Sequence, residues 1–181
     1  MQAHTQDDTP PATARPAAGW LDPAVLARGN INPQTGLATD FLNHFNEVIM
    51  LLEMLPGAPE FVDDILNWQP LNYHDYFVTS HFKDRELALL AYGAADPVAR
   101  ASLEQFADTM NSYLLATLER LRSELTPEAA ADLGIEAAIW LKPVVARAGA
   151  VINGQQEASF ELADEGAAQV LVDALFENFT P

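Results

Sequence analysis

The chain has 181 residues, 49% hydrophobic and 19% charged, proportions that suit a folded domain with a real core and exclude a disordered polyelectrolyte. It contains no cysteine, which excludes disulfides, thiolate nucleophiles and cysteine-held metal or iron–sulfur centres. With 9 basic residues against 26 acidic ones the net charge is −17, which argues against nucleic acid as a partner.

Residues 1–19 are rich in Pro, Ala, Thr and Gln without apolar periodicity, so a disordered tail is expected there, followed by one α-helical domain over 20–181. Asp7 and Asp8 stand where a secretory signal would be basic, and no apolar run approaches the roughly 20 residues of a membrane span. The default expectation is a cytoplasmic protein with no membrane span.

Asp22-Pro23 open a short helix to about residue 28, Asp as cap and Pro in the first turn. A turn-rich loop follows over 29–36. Leu37, Phe41, Phe45, Val48 and Leu52 then recur at spacings of three and four, which predicts a long helix over about 36–55 with Thr35 as its cap. Pro56-Gly57 end it, and Pro59 begins a shorter helix to about Trp68, with Glu60, Asp63 and Asp64 near its positive end. Asn72 and Asp75 have the spacing of a capping box. The helix they open either continues through Lys83-Asp84-Arg85-Glu86 to about Tyr92 or breaks near Ser80.

Asp96-Pro97 begin the longest helix, to about 125, on a seam of Leu103, Phe106, Met110, Tyr113, Thr117 and Leu121. Thr126-Pro127 start another segment. A further helix over about 135–153 is apolar on most sides and should lie centrally, with a kink or break near Ile139 caused by Pro143. A short strand over 159–162 and a last helix over about 164–178 complete the pattern. The predicted fold class is all-α, a single-domain bundle of six to seven helices; no Gly-rich phosphate loop supports a nucleotide site.

Basic residues are absent between Arg28 and Lys83, between Arg122 and Lys142, and after Arg147, whereas acidic residues are scattered. The acidity therefore belongs to the folded surface, and a protein partner with a basic surface is expected.

Two patterns carry chemistry. In the first, Asp40, His44 and Glu47 share one row of a helix, and His74 and His81 stand seven apart on another. If the helices pack antiparallel, His44, Glu47, His74 and His81 form a candidate metal site, imidazole and carboxylate suiting zinc, iron or manganese. The order His44-x-x-Glu47 is the reverse of the Glu-x-x-His pair of di-iron bundles, and it has no second copy. The second is the aromatic stretch from Trp68 to Phe82. In it Trp68, Tyr73, His74, Tyr76 and His81 are candidates for a ligand-binding or docking surface.

The stretch from Leu42 to Glu47 also resembles the H-box of histidine-kinase phosphotransfer and dimerisation domains, with an acidic residue after the histidine. That resemblance implies His44 as a phosphoryl acceptor in a relay. Phe45 stands where that family is usually acidic, residues 29–82 offer no basic group for the phosphoryl oxygens, and no ATP-binding domain follows. No serine lies in a Gly-x-Ser-x-Gly elbow, and no motif names a cofactor. The leading expectation is a non-enzymatic, acidic α-helical interaction or regulatory protein. The alternatives are a ligand- or metal-binding bundle and the phosphorelay protein.

Overall fold

The computed structural model describes residues 21–123 and 125–155. Among them, seven α-helices follow in order: α1 Pro23–Arg28, α2 Asn43–Met54, α3 Val62–Leu66, α4 Tyr73–Thr79, α5 Arg85–Gly93, α6 Pro97–Arg122 and α7 Pro127–Ile152. Single turns of tighter helix, Thr39–Leu42 and Pro59–Phe61, lead into α2 and α3. One isolated antiparallel bridge joins Ile31 to Ala38. The fold is the all-α bundle that the apolar periodicities predict. No helix among the described residues is long and apolar enough to cross a membrane. The tail expected at 1–19, the strand at 159–162 and the helix at 164–178 lie outside the described residues.

The starts of four helices follow from local chemistry. The side chains of Asp22, Asn72, Asp96 and Thr126 each accept a hydrogen bond from a backbone N–H of the first turn, pairing donors the helix cannot satisfy itself. Asn72 departs slightly from the capping-box expectation. Its amide donates to the Asp75 carboxylate at 2.8 Å, so the reciprocal bond joins the two side chains.

Helix α7 is the axis of the bundle, with α2 and α6 packed along it. Gly134 lies beside Leu52 and Gly149 beside Leu42, which makes α2 antiparallel to α7. Tyr113 stacks on Trp140 with centroids 4.1 Å apart, and Arg147 stands over Phe106, which makes α6 antiparallel as well. The six seam residues predicted on α6 are all buried. Leu133, Ala137, Ala138, Leu141 and Ala148 give α7 a narrow buried stripe that admits two neighbours at close range. At Gly134 the approach is closest: a Cβ there would stand 2.7 Å from the Leu52 carbonyl oxygen.

Four expectations need correction. The helix over 36–55 begins later, because Gly36 has φ +75°, outside helical geometry, and packs against Ala91 and Ala95, and Ala38 is extended. Thr35 is no cap. It is buried, and its hydroxyl donates to the Ile152 carbonyl at 2.7 Å and accepts from the Leu37 N–H, tying the loop to the end of α7. The two segments read over 127–153 are one helix, because Gly134 faces α2 instead of terminating a turn. No break occurs at Pro143, which the helix runs through. Pro143 and Ile139 lie on the solvent face, Ile139 being 69% exposed, so water can take the place of the amide donor that Pro143 lacks.

Of the two readings after Asn72, the break at Ser80 is the observed one. Ser80 is extended, with ψ 158°, and its hydroxyl donates to the Phe77 carbonyl. Phe82 returns to pack edge-on against Phe77 at 5.4 Å.

Candidate functional site

The first cluster surrounds His44. Its residue is only 8% exposed, and its ring stacks on Trp68 with centroids 4.8 Å apart and planes 24° from parallel. The Trp68 indole N–H donates to the His44 carbonyl at 3.3 Å, fixing the turn after α3 to the first turn of α2. Phe45 and Tyr76 close the sides of the box. Burial lowers the His44 pKa to about 4, a hydrogen bond to the Gln69 backbone opposing this in part, so the ring is neutral near pH 7. Its Nε2 is buried with no hydrogen-bond partner. The H-box resemblance implies an exposed acceptor, whereas this nitrogen is buried.

The metal quartet does not assemble. Among the described residues no three His, Asp or Glu side chains converge closely enough to hold an ion. The physical reason is the end of α4 at Thr79. His81 lies beyond it, so the spacing of seven from His74 does not place the two on one helical face. His81 and Glu47 are exposed. The His74 side chain is 63% exposed, with Nδ1 at 3.4 Å from the Asp75 carboxylate. The row of Asp40, His44 and Glu47 is also broken, because Asp40 belongs to the tighter turn before α2.

Four of the five candidates in the aromatic stretch divide between two places, and the exposed His81 belongs to neither. Trp68 and Tyr76 belong to the His44 box. Tyr73 and His74 instead line a half-open cleft of about 400 Å³ where α4, α5 and α6 meet. Tyr73 is buried, and its phenol oxygen accepts from the Ala38 N–H at 2.9 Å. Its ring stacks on Tyr92 of α5, centroids 4.3 Å apart and planes 12° from parallel. The Tyr92 hydroxyl donates to Glu104 of α6. Burial raises the pKa of both phenols, and the Glu104 carboxylate raises that of Tyr92 further, so both hold their protons. Arg100 stands over the Tyr92 ring at 5.7 Å and 3.7 Å from Glu104. Asp108, one turn beyond Glu104, completes the rim.

Tyr92, Glu104 and Asp108 did not figure among the candidates read from the sequence. The only local signal was the spacing of four between the two carboxylates, which any solvated helix face shares. Chemically the cleft is suited to binding: its phenols are protonated and its rim is anionic. Comparison with protein-family models, with curated proteins and with solved structures finds no match for the chain, so the class defined is an all-α bundle with an aromatic-walled acidic cleft.

Proposed function

We propose that the protein is a non-enzymatic, acidic α-helical interaction protein whose partner presents a basic surface. The observation that carries this reading is the cleft, where the stacked Tyr73 and Tyr92 form a wall beside Glu104 and Asp108. An apolar wall displaces water from one side of the two carboxylates. Their attraction for a cation is then screened less than on an open surface. The net charge of −17 adds long-range steering toward basic partners, an effect that salt weakens.

The test is binding of a library of lysine- and arginine-rich peptides at low and high salt. The expected outcome is a set of binders with dissociation constants of about 100 μM or tighter. Glu104→Lys with Asp108→Lys should abolish that binding. Asp63→Lys with Asp64→Lys, the same charge change on the exposed start of α3, should cost less than about threefold. Equal losses from the two double variants would mean non-specific charge attraction and would refute the reading, as would an absence of binders.

A further inference from the structure

We infer that the cleft is a receptor for an alkylammonium group, the charged end of a lysine side chain or of a free linear diamine. This rests on the reading of the cleft as a cation-binding site. Its volume of about 400 Å³ lies within the range of small-ligand pockets. It is wide enough for an extended chain of methylenes with a solvated entrance. One side is apolar, the half-buried Tyr92 ring backed by the buried Phe41, Leu103 and Ala107.

The wall is already rigid. Tyr73 is held by the Ala38 N–H and Tyr92 by Glu104, and the two rings lie against each other. Binding therefore requires little ordering of side chains, which favours affinity for a small group.

The choice of ammonium over guanidinium follows from the free lone pairs. Glu104 Oε1 already takes the Tyr92 hydroxyl and faces the Arg100 Nε, which leaves Oε2 to a ligand. A guanidinium is bound best in the plane of a single carboxylate, here the Asp108 one, which leaves Glu104 Oε2 unused. An ammonium is a compact charge with three donors, satisfied by one oxygen from each of two carboxylates. Glu104 and Asp108 stand one turn apart on one face of α6, and both line the cleft.

The molecule itself supplies a precedent. Arg100, Glu104 and Asp108 follow at intervals of four along α6. The first two form a cation–carboxylate pair against Tyr92. Asp108, the third, enters no side-chain hydrogen bond or ion pair among the described residues. Its carboxylate lines the cleft beside that pair.

The experiment uses the full chain and three probes: cadaverine, an uncharged glycine–serine peptide carrying one lysine, and the same peptide carrying arginine. Binding is measured by titration calorimetry and by NMR shifts of the tyrosine rings. The expected result is saturable binding of an ammonium probe with a dissociation constant below about 10 mM, shifts at Tyr73 and Tyr92, and weaker binding of the arginine peptide. Asp108→Asn should weaken binding about tenfold, the scale of one charge-assisted hydrogen bond, and Asp63→Asn should leave it unchanged. Glu104→Gln is the second cleft variant.

Binding of the lysine peptide alone would assign the group to a protein, and binding of cadaverine alone to a free diamine. Either outcome supports the inference. Failure of both ammonium probes, wild-type affinity in both cleft variants, or an arginine peptide that binds as tightly as the better ammonium probe would overturn it. If longer basic peptides bind through the cleft while the ammonium probes do not, the inference fails and the interaction reading stands. If the ammonium probes bind and the basic peptides do not, the interaction reading fails alone.

Discussion

A single methyl group at position 134 tests the packing of α2 against α7. Gly134→Ala places a Cβ 2.7 Å from the Leu52 carbonyl oxygen and 2.9 Å from Leu55 Cδ1. The leucine methyl can rotate away, but the carbonyl belongs to the α2 backbone and can move only with the helix. Overpacking of this kind costs about 1–3 kcal/mol, and a clash with backbone belongs at the top of that range. Alanine also improves the intrinsic helix propensity by about 1 kcal/mol over glycine, which acts in the opposite direction. The net expectation is a loss of about 2 kcal/mol.

Gly149→Ala, in the same helix, provides the control. Its Cβ would meet Leu42 Cδ1 at 3.5 Å, an ordinary contact, so only the propensity term remains and a gain of up to about 1 kcal/mol is expected. The two variants should therefore differ by about 3 kcal/mol. With a urea m-value of about 2 kcal/mol/M, that is a separation of about 1.5 M in unfolding midpoint. Circular dichroism during urea titration measures it. Midpoints within about 0.2 M of each other, or a Gly134→Ala variant more stable than wild type, would refute the backbone-to-backbone contact.

Three further outcomes are expected. Because burial lowers the His44 pKa from 6.5 to about 4, the unfolded chain takes up a proton in that window while the folded chain does not. The folded state is therefore fully favoured above pH 6.5 and loses at most about 3 kcal/mol as the pH falls to 4. Asp40, whose pKa burial raises, works in the opposite direction at the acid end. His44→Phe should flatten this dependence, and equal pH slopes in urea midpoints would count against it. Thr35→Val leaves the Ile152 carbonyl and the Leu37 N–H unpaired in the interior and should cost about 1–3 kcal/mol by the same urea assay, with no loss refuting the tie. Pro143→Ala restores an amide donor to the Ile139 carbonyl and should be neutral or stabilising by up to about 3 kcal/mol in thermal unfolding; a loss above about 2 kcal/mol would mean that the helix needs its proline for packing.

Features written within a few residues were legible. The caps Asp22, Asn72, Asp96 and Thr126 act on N–H groups two or three positions away, so their residue types announced the helix starts. The seam from Leu103 to Leu121 announced a buried face because spacings of three and four return to the same side of a helix. The pattern failed where it assumed a continuous helix. His74 and His81 shared a face only on paper, since Ser80 turns the chain before His81 is reached. Thr35 had the residue type of a cap, but its hydroxyl bonds a carbonyl 117 positions away.

The cleft shows the division most clearly. Tyr73 and His74 stood out in the sequence because aromatics crowd around them. Tyr92, Glu104 and Asp108 looked like an ordinary aromatic and an ordinary solvated face. Composition and periodicity determined that this chain would be an acidic bundle of helices, because burial of apolar stripes and pairing of helix ends are local requirements. The meeting of α4, α5 and α6 around one cavity depends on how whole helices pack, and that is decided by contacts between residues distant in the chain, which no local spacing records.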